Sequence, residues 1–344
     1  MIEVVAEVGK NFVTTEQEES LDVLLARAKQ YIDVIKKIGG TTVKFQVHTV
    51  KDEIHPETKI IAPHFNLDRY TWVKRNTYPV EFWWELKEYC REVGINFLAT
   101  PMSRGAAELL NEDIGVDRWK IGSADILDFV MLDHIRDSGK PVILSSGMST
   151  IQELKKSYDF LKEKTQDISI LHCVSQYPCP IENLNLGTIP FLKKQFPGVK
   201  IGFSDHSLGN EGALVAAAEG ASIIEKHLTL SRDFWGPDHR ASSTPEEMGE
   251  LIKRLKNNDL VWATPIHPAL GVETKFVSQE EIKFRPAFHK GLYAARDIKA
   301  GEMFEPDMIY AMRPKLPDAR PSYEYPNIVG KVASQDIKKY DPIP

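Results

Sequence analysis

The chain has 344 residues, 42% of them hydrophobic and 27% charged, with a formal net charge of −6. This is the composition of a globular protein with one large domain and a small one. It offers no global basic field, so nucleic acid is not an expected partner. No run approaches the ~18 apolar residues of a membrane span, so no membrane partner is expected either. The start, MIEVVAEVGKNF, has neither the basic head nor the apolar run of a signal peptide. Cys90, Cys173 and Cys179 read as reduced thiols, and Cys173 and Cys179, which lack the spacing of a zinc site, as packed or incidental ones. Together these readings give a cytoplasmic expectation.

Strand-like and helix-like runs then alternate. EVVAEVG predicts a strand, and LDVLLARAKQYIDVIKKIG an amphipathic helix ended by Gly39. TVKFQVH is a second strand, followed by a long irregular loop over residues 49–79. The aromatic residues of that loop predict an ordered wall over a site. The helix VEFWWELKEYCREVG follows. INFLATP pairs with AAELLNEDIG, RWKIGSA with FVMLDHIRDSG, and PVILSSGM with TIQELKKSYDFLKEK. ISILHCVS pairs with LGTIPFLKKQF, KIGFSDHS with GALVAAAEG, and SIIEKHLT with TPEEMGELIKRLKNN. Eight such pairs in roughly 250 residues predict an α/β fold, a (β/α)8 TIM barrel, over residues 1–266. The alternation stops over a linker at 267–285. Residues 286–344 show short strands, Gly and Pro turns and no long helix. They predict a compact β-rich domain that leans on the barrel or on a partner subunit.

In such barrels the chemistry sits at the carboxyl ends of the strands. Polar residues crowd those ends here: Glu7, Lys44 with Gln46 and His48, Thr100, Lys120 with Ser123, Ser145 with Ser146, Ser175 with Tyr177. The last two strands bring Ser204 with His206 and Glu225 with His227. Side chains two apart share a face of a strand, and a strand–helix–strand unit makes those two strands parallel neighbours. His206 and His227 can therefore share one divalent cation. Lys44 and Lys120, converging on hydroxyls such as Thr100, Ser145, Ser146 and Ser204, make a phosphate or carboxylate pocket. The backbone amides of Ser146, Gly147 and Met148 are expected to add donors. A Schiff-base lysine (Lys44, Lys120 or Lys226) is the rival chemistry. Glu7, Glu225 and Asp238 are carboxylates placed to move protons, although Asp238 also reads as a turn former. The residues alone imply condensation of a small anionic substrate with a carbonyl compound, and name neither.

The segments AEVGKN, VKFQ, KIGSAD, ILSSGM, LHCVSQYPCP, ENLNL, GFSDHSLG, IEKHLTL and GPDH, in that order, resemble the sialic acid synthase family (N-acetylneuraminate and related nonulosonate synthases). KGLYAARDIKAGEMF is similar to that family's carboxyl-terminal antifreeze-like (SAF) domain. The resemblance implies a transferase that condenses phosphoenolpyruvate with the open-chain aldehyde of an N-acylated hexosamine such as N-acetylmannosamine. Carbon 3 of the enol attacks the aldehyde, water adds at carbon 2, and phosphate leaves by carbon–oxygen cleavage. By carry-over, His206 and His227 hold manganese or magnesium. Lys44, Thr100, Lys120, Ser145 and Ser204 contact phosphoenolpyruvate, and Gln46 and Ser123 belong to the same substrate pocket. Glu7, Tyr177, Glu225 and Asp238 face the sugar or the transferring protons. The family's dimers, in which one subunit's small domain covers the other's barrel, imply a domain-swapped homodimer.

Three departures fall on what the resemblance implies is the sugar side: Asn11-Phe12 where the family has Asn-His, Ser175 where the family member for N-acetylmannosamine has Asn, and Lys290 where the family has an Arg reaching the neighbour's sugar. They point to a modified or non-acetylated hexose. A Schiff-base pyruvate aldolase and a non-catalytic carbohydrate-binding homologue are the alternatives.

Overall fold

The computed structural model describes residues 2–58, 67–260 and 267–344. Eight parallel strands form one sheet that curls into a barrel in the order β3-β2-β1-β8-β7-β6-β5-β4, with β3 and β4 in contact at the seam. The strands are β1 (Glu3–Gly9), β2 (Thr42–Val47), β3 (Asn96–Pro101), β4 (Trp119–Ile121), β5 (Val142–Ser145), β6 (Ile168–Cys173), β7 (Lys200–Asp205) and β8 (Ile223–His227). The expected barrel is thus present, with the strand order that right-handed crossovers require. Val5, Leu98, Ile143, Leu171 and Ile223 pack together inside it as an apolar layer. That layer closes the floor beneath the polar strand ends.

Helices cover the outside. In α1 (Leu21–Lys37), Leu24, Ala28, Tyr31, Ile32 and Ile35 repeat at helical spacing and are buried. Each fully buried Leu or Ile contributes about 1.5–3 kcal/mol, so a charge at Ile32 would undo this face. The segment read as an irregular loop holds two helices, α2 (Val50–Glu53) and α3 (Arg69–Arg75). The part of the predicted wall at 59–66 lies outside the described residues. α4 (Val80–Val93) ends at Gly94, whose φ of +75° suits a residue without Cβ. α5 (Arg104–Glu108), α6 (Phe129–Asp137), α7 (Ile151–Lys162), α8 (Thr188–Gln195), α9 (Glu211–Ala218) and α10 (Pro245–Lys256) complete the ring. Thr150 with Glu153 and Thr244 with Glu247 form capping boxes that fix where α7 and α10 begin.

The linker is more ordered than its composition indicates. Its end forms α11 (Gln279–Phe288), opened by a third capping box from Ser278 and Glu281. The boundary expected at 286 therefore falls inside a helix. Beyond it, β9 (Gly291–Ala294) and β10 (Ile309–Met312) pair antiparallel, with Tyr293 opposite Tyr310. Isolated bridges such as Ile298 to Ile337 and Met303 to Val332 tie the remaining turns. This small domain leans on its own barrel. Arg313 N donates to Glu53 O and His55 N donates to Arg313 O, extending β10 into the loop after β2. Ser322 Oγ donates to Leu127 O at 2.7 Å.

Candidate active site

Strand register brings the predicted residues together. Ser204 lies opposite Glu225 in the β7–β8 pair, and Glu7 lies opposite both Lys44 on β2 and His227 on β8. Ser204 Oγ donates to Glu225 Oε1 at 3.0 Å. Lys44 Nζ lies 2.7 Å from Glu7 Oε2 and 3.6 Å from Glu225 Oε1, and donates to Thr100 Oγ1 at 3.1 Å. Lys120 Nζ reaches the same Glu225 oxygen at 3.4 Å. Gln46 Nε2 donates to Glu7 Oε1 at 2.9 Å. Two ammonium groups thus face two carboxylates at the barrel's carboxyl end, all of them buried.

Burial opposes every one of these charges, so their partners decide the protonation. For Lys44 the carboxylates of Glu225 and Glu7 outweigh burial and raise its pKa. For Lys120 burial wins and lowers it, with Glu225 pulling back. Lys226 points the other way, paired with Asp205 at 2.6 Å and donating to Ser207 O. A Schiff base needs a free amine, and neither Lys44 nor Lys226 offers one.

The two histidines meet. Their ring centroids are 5.6 Å apart, and the Tyr177 ring lies 4.0 Å from that of His206. His206 Nδ1 donates to Val174 O at 2.8 Å, which leaves Nε2 with a lone pair. His227 Nδ1 is buried with no hydrogen-bond partner among the described residues. Burial lowers the His227 pKa, favouring the neutral ring that a cation needs. Asp238 lies close enough to act electrostatically on His227. Among the described residues no group of three or more His, Cys, Asp or Glu converges for a metal. Two imidazoles with available nitrogens fit a cation that takes its other ligands from water or substrate.

The expected amide cradle is not available. Ser146 N donates to Leu171 O, Gly147 N to Ser123 Oγ at 3.0 Å, and Met148 N to Glu281 Oε1 at 2.8 Å. The hydroxyls remain: Ser145 Oγ is buried without a hydrogen-bond partner among the described residues. Gly147 is needed here for space. A Cβ on it would stand 2.5 Å from Ser175 Oγ and 2.7 Å from Ser123 Oγ.

The three departures are placed differently from one another. Phe12 does not face a sugar. It is fully buried among Phe45, Tyr78 and Phe82, so it belongs to the core behind β1 and β2. Ser175 does line the mouth, and its N–H donates to Glu281 Oε1 at 3.0 Å. Lys290 is buried between Asp125 and Asp128 of its own barrel, 2.8 Å from each, and donates to Met102 O. Arg313 pairs with Asp125 from the other side.

Three participants escaped the sequence reading. Glu281 comes from the linker, where only its place in a capping box marked it. Cys173, read as incidental, lies 4.0 Å from both Ser175 Oγ and His206 Nδ1. Its parity on β6 with Ser175 was the available signal. Lys10, whose Nζ lies 3.1 Å from His48 Nε2, carried no signal beyond its place after β1 in the segment AEVGKN.

Residues 31–264 match the NeuB family and residues 289–344 match the SAF domain. The chain is 32% identical over 321 residues to an N,N'-diacetyllegionaminic acid synthase of Campylobacter jejuni, covering 91% of this chain and 92% of that one. It is 30% identical to the human N-acetylneuraminate-9-phosphate synthase, covering 99% of this chain and 90% of that one. Among solved structures, the spore coat polysaccharide biosynthesis protein SpsE of Bacillus subtilis superposes with a TM-score of 0.79 at 28% identity. That match covers 100% of this chain and 94% of the other.

Proposed function

The chain belongs to the NeuB family, and from that premise we propose that it condenses phosphoenolpyruvate with an open-chain N-acylhexosamine or a modified relative to give a nonulosonic acid and phosphate. It is a transferase that forms a carbon–carbon bond. The observation that carries this reading is the convergence of Lys44 and Lys120 on Glu225, which shares β8 with His227, the histidine that faces His206.

Lys44 and Lys120 hold the phosphate and carboxylate of phosphoenolpyruvate, with Thr100, Ser123, Ser145 and Ser204 donating hydrogen bonds. The buried, unpartnered Ser145 hydroxyl supports this. Carbon 3 of the enol adds to the aldehyde of the sugar, which Gln46, Ser175 and Tyr177 orient. Glu225 Oε1 is occupied by Ser204, while Oε2 is buried without a hydrogen-bond partner among the described residues. Oε2 is therefore placed to take a proton from the water adding at carbon 2. Glu7 and Asp238 serve the protons on the sugar side. His206 and His227 would hold manganese or magnesium, which when bound polarises the aldehyde carbonyl.

The reading extends to a homodimer that exchanges small domains. Phe276, Ile282 and Phe284 expose apolar side chains along the linker and α11, the segment such an exchange would run through. In that arrangement Lys290 would meet the partner's barrel. A cytoplasmic location is part of the same reading. It is compatible with the finding that, among the described residues, no helix is long and apolar enough to cross a membrane.

The deciding experiment is phosphate release from phosphoenolpyruvate with N-acetylmannosamine, its 6-phosphate and mannosamine, each with and without chelator. Oxygen-18 in the bridging position should leave with phosphate. Release that needs no sugar, or label retained in the ketoacid, would overturn the reading.

A further inference from the structure

Resting on that condensing reading, one chain of polar groups at the barrel mouth stays unused by it: Glu53, His48 and Lys10. Lys44 and Gln46 share the inward face of β2, and His48 continues that alternation one step higher toward the mouth. His48 Nδ1 lies 2.7 Å from Glu53 Oε2, and both side chains are buried. The carboxylate accepts, so Nδ1 carries the proton and Nε2 keeps its lone pair. Burial lowers the His48 pKa despite the pull of Glu53, which is consistent with this neutral tautomer. The Lys10 ammonium donates to Nε2 at 3.1 Å.

Lys10 is held firmly at its backbone. Gly9 turns the chain with φ of +55°. Asn11 Nδ2 then donates to Leu228 O at 2.8 Å and to Ser242 Oγ at 3.0 Å, and Tyr31 Oη donates to Asn11 O at 2.8 Å. The turn is thereby locked to the end of β8 and the loop behind it. That loop also carries Asp238, whose charge acts on both Lys10 and His227. The Trp72 ring centroid lies 5.6 Å from the ammonium. His48 takes one of the three N–H groups and is the sole hydrogen-bond partner of Nζ among the described residues. Lys10 is half-buried as a residue, and burial desolvates its ammonium and lowers its pKa, with the Asp238 charge pulling the other way.

We propose that Lys10 is a specificity-determining residue that donates from its remaining N–H groups to an oxygen of the aldose, with His48 and Glu53 as the positioning residues that aim it. A desolvated ammonium held by a neutral imidazole rewards an oxygen acceptor and penalises a carbon substituent in its place. The acceptor can be a sugar hydroxyl or a sugar phosphate, and the two forms of N-acetylmannosamine separate them.

Steady-state kinetics on the full chain test the assignment, using whichever hexosamine of the panel above the wild-type protein turns over fastest. Lys10→Met should raise KM for the aldose at least about tenfold, while KM for phosphoenolpyruvate stays within about twofold. The unfolding midpoint should not move. Lys10→Arg, which keeps a cation, should recover part of the loss. His48→Phe should raise the same constant, and the double variant should be no worse than Lys10→Met alone, a coupling that two separate lesions would not give. An aldose KM unchanged in Lys10→Met, or an equal rise for phosphoenolpyruvate, would overturn the role of Lys10 while leaving the condensing reading in place. No phosphate release by the wild-type protein with any hexosamine would remove the condensing reading and this assignment together.

Discussion

Lys120 Nζ stands 3.4 Å from Glu225 Oε1, in a place where neither side chain is more than 7% exposed. Burial alone would raise the Glu225 carboxyl, but Lys120, Lys44 and the Ser204 hydroxyl outweigh it and hold it down to about 2, against an ordinary value of 4.5. A carboxyl depressed in the folded state stabilises the fold above its unfolded value, and that stability is lost as pH falls toward the folded one. Glu225→Gln should therefore flatten the acid side of the stability curve between about 4.5 and about 2. Thermal melts across that range check it. In the wild-type protein Glu225 should contribute no acid limb to the rate above pH of about 5.

Lys120→Met removes a charge-assisted contact of about 1.5–3 kcal/mol. KM for phosphoenolpyruvate should rise about 10- to 150-fold, with a smaller effect on the sugar. Initial rates with each substrate varied in turn decide it. Unchanged phosphoenolpyruvate kinetics would place the anion elsewhere.

Chelation should abolish turnover, and manganese or magnesium should restore it. His227→Ala should keep the fold and lose manganese binding, read by calorimetry independently of activity. A variant that binds manganese as tightly as the wild-type protein would exclude His227 as a ligand.

Glu281→Ala strips the acceptor from Met148 N and Ser175 N, both of which are hydrogen-bonded to one carboxylate oxygen. An orphaned buried donor costs about 1–3 kcal/mol. Stability should fall by an amount of that order, and amide exchange at Met148 and Ser175 should accelerate. Both Michaelis constants should rise, because Met148 lies beside the Ser145 end of β5 proposed for phosphoenolpyruvate and Ser175 is proposed to orient the sugar. Exchange at wild-type rates would show that the linker does not brace the site.

Lys290→Met leaves Asp125 and Asp128 facing Arg313 with one cation removed. Removing one partner of a buried ion pair typically costs about 3–5 kcal/mol. The small domain should loosen from the barrel, seen as faster proteolysis of the linker and an earlier denaturation midpoint. Wild-type resistance would mean that Lys290 is not held between these aspartates in solution.

The sequence by itself determined the barrel and most of the side chains that face its mouth. The apolar runs, the helix caps and the Gly stops are local signals, and period-two alternation decides which residues share a face. Lys44 with Gln46, and Glu225 with His227, could be read that way because a parallel strand–helix–strand unit leaves little freedom in where its strand ends point. Partners were another matter, because alternation fixes a side and says nothing of what waits there. The amides after β5 looked free until α11 brought Glu281 from 133 positions away to Met148. Phe12 looked like a sugar contact until α4 and β2 closed the core around it. Lys290 lies between aspartates 162 and 165 positions back along the chain, and Lys10 rests on a histidine 38 positions ahead. These contacts exist only once the barrel is closed and the linker is laid across its mouth, because desolvation there forces every buried charge and amide to find a partner, however distant in the chain.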